Sequence, residues 1–385
     1  MPDNSINPQE ELLESVLEAA RPLLFRANAF RLLGLHVFAT EPEIKKESDK
    51  ARMMGKFGGR TKRVVGPLPL DPPPESASLL EAAQRLRDPE LRLIDEFFWF
   101  WPANARAGND EAPLAALIRR DVESATRIWK AQEDAKLRGL ASHNLALMFH
   151  TLALDIENAR HEDPLAGELK TVQEEYWRKG LAEWQSLLSD EGFWELFAER
   201  VIEQHDPRVP ENFAERFKAT LPAALLLMTA QLALSAAGRG ASQEAELYGR
   251  MMSESGFGRD AMEESCARVV KQVDTELQAL CKTARSEALA ETTIAHEVAG
   301  RLLQQSRASL DAIGVMLPAD DPVRNRLRDE VAAAANDCLM AYCEGIPDWK
   351  AALELVGQVQ ALAVSLAVRA RTEDLRIFLL RFAYR

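Results

Sequence analysis

Residues 262–284 read MEESCARVVKQVDTELQALCKTA, and the apolar positions Met262, Cys266, Val269, Val273, Leu277, Leu280 and Ala284 are spaced 4-3-4-4-3-4. Steps of three and four residues return to the same side of a 3.6-residue helix. The eleven-residue repeat they make favours a nearly straight or slightly right-handed packing seam. The helical pattern runs over about 258–316. An uncapped run of that length is unusual in a compact domain, so it is expected to break into two helices.

On either side of this stretch the same period recurs. The period of two that marks strands is missing, apart from a few residues around Val64 and Val65. Helices are expected over 8–21, 23–33, 40–56, 75–87 and 90–101. Others are expected near 114–131, 136–159, 165–188, 191–204, 213–237, 242–254, 322–342 and 348–383. Thr40 and Glu43 make a capping box at the start of one of them, and Asp88-Pro89 forces a corner between two others. Residues 58–74, GGRTKRVVGPLPLDPPP, hold five prolines and three glycines and read as a loop. Breaks at 102–113 and 205–210 divide the chain into an N-terminal part, 1–101, a middle part of helical hairpins, 102–210, and a C-terminal helical bundle, 211–385. The fold class is all-α.

The bulk properties narrow the function. A formal charge of −13 over 385 residues disfavours nucleic acid as the partner of the whole surface. Four cysteines, Cys266, Cys281, Cys338 and Cys343, show no framework spacing, which suits buried thiols in a reducing, cytoplasmic compartment. The acidic, polar N-terminus does not read as a secretory signal. Leu221 to Ala237 is short for a membrane span and carries Pro222, Thr229, Gln231 and Ser235, so it reads as a buried helix.

One segment resembles a known family. Asn28-Ala29-Phe30-Arg31-Leu32-Leu33-Gly34-Leu35, then Thr40-Glu41-Pro42-Glu43-Ile44-Lys45-Lys46, then Leu80 to Arg92 (LEAAQRLRDPELR), match in order and spacing the pattern of a J domain. The resemblance covers residues 28–101. It implies a co-chaperone module that docks on a DnaK-type ATPase chaperone. J domains carry a His-Pro-Asp trigger in the loop between their second and third helices. Here that loop has no histidine and keeps only Leu70-Asp71-Pro72, so stimulation of an ATPase is not expected. Residues 121–158 loosely resemble a tetratricopeptide helix pair, through Ala125, Trp129 and Ala141-Ser142-His143-Asn144-Leu145-Ala146.

Lys45, Lys46, Lys50, Arg52, Lys56, Arg60, Lys62 and Arg63 lie within one stretch against only Glu47 and Asp49. This basic stretch is either a solvated helix face, a docking surface for an acidic protein, or, with only Phe57 interleaved, a nucleic-acid contact. Phe97, Phe98, Trp99, Phe100 and Trp101 would occupy every face of a helix, which suits a wedge between the J-like module and the next domain, or a partner patch. Trp177, Trp184, Phe193, Trp194 and Phe197 read as core packing, with a peptide groove as the alternative.

Phosphate-cradling, dinucleotide, zinc-protease and nucleophile-elbow motifs are all missing. His143, His150 and Glu157 fall seven apart on one helix, about 10.5 Å per step, too far to share a metal ion. They read as residues of a helix interface. No enzyme activity, cofactor or metal is expected. The reading that results is a non-enzymatic adaptor or chaperone-associated protein. Its alternative is a helical scaffold whose J-like module is purely structural.

Overall fold

The computed structural model describes residues 12–56, 66–132, 135–159, 167–343 and 349–383. About four fifths of the chain is helical, and none of the described residues lies in a strand. The chain forms two compact units, Met1–Leu225 with Ser255–Ala261, and Leu226–Glu254 with Met262–Arg385.

The first unit begins with three short helices, α1 (Glu14–Ala19), α2 (Leu24–Ala27) and α3 (Ala29–Leu33). The expected single helix over 23–33 is split at Asn28. Its side chain accepts hydrogen bonds from the Phe30 and Arg31 amides and so starts a new helix. Gly34 ends α3 at φ 68°, a left-handed conformation that suits glycine. A hairpin comes next, α4 (Glu41–Lys56) and α5 (Ser76–Arg85), in which the end of α4 at Gly55 lies beside Ser76 at the start of α5. Glu43 accepts from both the amide and the hydroxyl of Thr40, at 2.7 and 2.8 Å. Only the Glu43 half of the expected capping box is therefore made in its usual form. Residues 57–65, and with them the first part of the expected loop over 58–74, lie outside the described residues.

Asp88 caps α6 (Pro89–Phe97), accepting from the amides of Glu90 and Leu91. Helix α6 stops at Phe97, whereas a helix through Trp101 was expected. Asn144 accounts for part of the difference: its side chain accepts from the Trp101 amide at 2.9 Å and donates to the Trp101 carbonyl at 2.7 Å. A non-helical segment is pinned there in place of another helical turn. The expected helix near 114–131 is likewise two, α7 (Ala112–Ile118) and α8 (Val122–Lys130). They are separated at Arg120, which has a φ of 62°, and Asp121 caps α8.

The scaffold of this unit is the antiparallel pair α9 (Ala135–Ala159) and α10 (Gly167–Leu188), with α11 (Glu191–Glu203) and the start of α12 (Phe213–Gly238). Gly180 lets α10 approach closely, since a Cβ there would lie 3.3 Å from the His150 amide nitrogen. Helix α12 is long and apolar enough to cross a membrane by length and composition, with a mean hydropathy of 1.6, yet 72% of that window is buried in the fold.

The second unit contains the rest of α12, then α13 (Ser242–Glu254), α14 (Arg259–Ala290) from Met262 onward, α15 (Ala295–Met316), α16 (Pro322–Cys343), α17 (Trp349–Leu362) and α18 (Leu366–Ala383). The long run expected over 258–316 does break in two, at Glu291–Ile294. Along α14 the buried seam is Cys266, Val269, Val273, Leu277, Cys281, Ala284 and Ala288. Cys281 thus faces inward where Leu280 was expected to. Arg326–Asp274 at 2.8 Å and Arg285–Asp337 at 2.7 Å join α14 to α16. The helix expected over 348–383 is broken because Asp329 of α16 accepts from the amides of Val364 and Ser365. Cys338 is buried, as expected, but Cys343 is only half-buried.

Candidate functional site

Within residues 28–101 the surface and the interior do different things. On α4, Ile44, Ser48 and Ala51 face inward, while Lys45, Lys46, Lys50 and Arg52 are exposed. Lys50 pairs with Glu47 at 2.5 Å and Arg52 with Asp49 at 3.0 Å, each one turn back along the helix. Exposed pairs of this kind are worth little in energy but do reduce the field that the two cations project. Among the described residues neither Lys45 nor Lys46 forms such a pair; the Glu43 pKa is lowered chiefly by the hydrogen bonds from Thr40, and Lys46 adds to this only at longer range. The outward positive charge is therefore centred on these two lysines. Met53, 56% exposed, lies seven positions from Lys46 and therefore on the same face. The Lys56 side chain and Arg60, Lys62 and Arg63 lie outside the described residues.

The opposite side of the module is fastened inside the first unit. Glu96 is fully buried and takes a bidentate hydrogen bond from Arg200 of α11: Nε to Oε2 at 2.8 Å and Nη2 to Oε1 at 2.9 Å. Arg92 donates to the same carboxylate at 2.8 Å and, through Nη2, to the Ala39 carbonyl. Burial works against the Arg200 charge, but the carboxylates of Glu96 and Glu203 outweigh it and hold its pKa above the ordinary value. Arg31, itself buried, pairs with Asp155 of α9. Asp95 is held at 2.6 Å by Arg85, and burial raises its pKa to about 6 against the pull of that arginine. The Asn28 side chain, besides capping α3, donates to the Asp95 and Phe98 carbonyls and ties α3 to the end of α6.

Phe97, Phe98, Trp99, Phe100 and Trp101 are all at most 2% exposed and lie within this one compact unit. Phe97 is the hub. Its ring lies 4.3 Å from Phe217, 5.1 Å from Phe197, 5.2 Å from His143 and 6.0 Å from Trp184, centroid to centroid. Trp177, Trp184, Phe193, Trp194 and Phe197 are buried, as core packing requires. Six of the seven tryptophans are buried. Native emission should therefore be blue-shifted and resist iodide; strong quenching of the folded protein would contradict the packing.

His143, His150 and Glu157 are buried at successive levels of α9. The Nε2 of His143 lies 2.7 Å from the Phe97 carbonyl, His150 Nδ1 accepts from the Trp184 indole at 3.0 Å, and Glu157 takes a hydrogen bond from Gln173. Burial lowers the pKa of His143 to about 4, against the opposing Phe97 bond, and that of His150 to about 3, so both rings are neutral at pH 7. Among the described residues no group of three His, Cys, Asp or Glu side chains is placed to hold a metal ion.

No protein-family model, curated protein or solved structure matches the chain.

The basic cluster and the aromatic run were legible in the sequence. Glu96, Arg200, Arg31 and Asp155 belong to no motif that would mark them there. A signal for the first was present, since Asp95 and Glu96 interrupt an otherwise apolar run, LIDEFFWF, at positions that cannot all face water.

Proposed function

We propose that this protein is a non-enzymatic adaptor that docks an acidic protein surface through α4 of its J-like module. A DnaK-type chaperone is the partner suggested by the resemblance. The observation that carries the reading is the pair Lys45 and Lys46, exposed and outside the ion pairs of α4, on a module whose other side is tied down through Glu96, Arg31 and Asn28. A rigidly mounted positive face orients a partner and raises its rate of encounter. The same module lacks a histidine in its loop, so docking would not lead to the signal that J domains deliver.

Binding to the organism's own DnaK-type chaperone should weaken with salt and fall about tenfold or more in K45E/K46E, mostly through a slower on-rate. Reversal at Lys50 and Arg52 should cost less, because Glu47 and Asp49 already compensate them. A single-turnover assay should show no stimulation of the chaperone's ATPase. Salt-insensitive binding, or equal losses at the two pairs of positions, would overturn the proposed face. Capture that recovers no DnaK-type chaperone under any condition would favour the module as a purely structural element.

A further inference from the structure

In the second unit, α13, α14 and α15 border a cavity of about 620 Å³ whose lining includes Met252, Met262, Cys266 and Met316. The chain has only ten methionines and four cysteines in 385 residues. Bringing three of the ten and one of the four to one cavity is a concentration of sulfur far above their share of the sequence. Met252 and Cys266 are buried, and Met262 and Met316 are half-buried. Met262 and Cys266 are one helical turn apart on α14, so their side chains leave the same face. The polar residues that line the cavity include Glu246 and Arg250 and no histidine.

We infer that this cavity is a binding site for a soft monovalent metal ion, of the class of Cu(I), held by the Cys266 thiolate and thioethers of Met252, Met262 and Met316. Thiolate and thioether sulfur select soft ions. Magnesium, calcium and manganese require a shell of oxygen donors, and here Glu246 is the one carboxylate in the lining. Charge makes the second selection. One thiolate neutralises one monovalent ion, leaving a neutral centre. Glu246 and Arg250 in the lining offset one another, so a divalent ion on the same single thiolate would leave a net positive charge. A cysteine thiol ordinarily titrates at about 8.5 and so carries its proton at pH 7. Binding then breaks the S–H bond, forms the S–metal bond and passes the proton to buffer, with no change of oxidation state.

The test is an anaerobic titration of the full-length protein with Cu(I), in competition with a chromogenic Cu(I) chelator, with proton release measured in weak buffer. The expected result is one Cu(I) withdrawn per chain with about one proton released. M262L/M316L, which keeps volume and removes two sulfurs, should weaken binding by more than the ~10–100-fold that loss of an outer partner costs. C266S should abolish the proton release. Thermal unfolding of each variant identifies any that fails to fold, in which case M252L replaces it. The inference is overturned if the wild type takes no Cu(I) from the chelator. It is also overturned if binding is unaffected by M262L/M316L and C266S and therefore rests on other cysteines, or if Zn(II) displaces Cu(I) from these residues.

Discussion

Replacing Glu96 by Ala should destabilise the protein by about 3–5 kcal/mol, the usual cost of breaking a buried ion pair from one side. At full burial, the Glu96 carboxylate faces Arg92 at 2.8 Å and Arg200 in a two-pronged contact at 2.8 and 2.9 Å. Truncation leaves two guanidinium groups, each largely withdrawn from water, without their acceptor. For a unit of this size the loss corresponds to a drop in Tm on the order of 10 °C. Glu96→Gln should fall between, since its amide can still accept from one arginine but turns a donor toward the other. In the double variant E96A/R200M, the second substitution should recover part of the first, because it removes one of the stranded charges. A shift below about 2 °C in E96A, far under that expectation, would mean that water reaches the site and that the module is not held through this carboxylate. The same variants bear on docking: if a rigid mount orients α4, K45E/K46E should cost less binding in the E96A background than in the wild type.

The fold was legible where one helix face determined it, and illegible where a distant side chain did. The seam along α14 could be read by counting, because each buried position repeats the same local rule. The end of α6 could not, since helix propensity would carry it on through the aromatic run. Its stop depends on Asn144, 43 residues away in sequence from Trp101. The break between α17 and α18 likewise depends on Asp329. For the candidate site, exposure of Lys45, Lys46, Lys50 and Arg52 follows from the apolar positions of α4, which must face inward. The pairings of Lys50 with Glu47 and of Arg52 with Asp49 decide which two cations project charge, and such pairings depend on rotamers that sequence does not specify. The cavity of the second unit shows the same limit. Met252, Met262 and Met316 lie on three different helices, and only the packing of those helices brings them to one space.

Acidification from pH 7 to pH 5 should cost stability, and His143 and His150 should carry most of that loss. Both are held neutral by burial, with pKa values of about 4 and about 3 against an unfolded value near 6.5. Folded-state values below the unfolded ones mean that the unfolded chain binds protons first. The stabilisation is therefore fully present above about pH 6.5 and is lost as pH falls toward the folded values. At pH 5 each histidine accounts for about 2 kcal/mol, or about 4 kcal/mol together. Asp95 runs the other way. Its folded pKa, raised to about 6, lies above its unfolded value, so the folded state takes up a proton first and regains about 1 kcal/mol over the same interval. The net loss expected from these three groups is on the order of 2–3 kcal/mol. Urea midpoints measured at half-unit steps of pH should slope downward between about pH 6.5 and 4.5. In H143Q/H150Q, which places no titrating ring beside Phe97 and Trp184, that slope should flatten or reverse, while the midpoint at about pH 7 falls from lost packing. In D95N the slope should steepen, because the opposing proton uptake is gone. A wild-type midpoint constant across this window would show that water reaches the two rings, and with it that the interior around Phe97 is more open than its contacts describe.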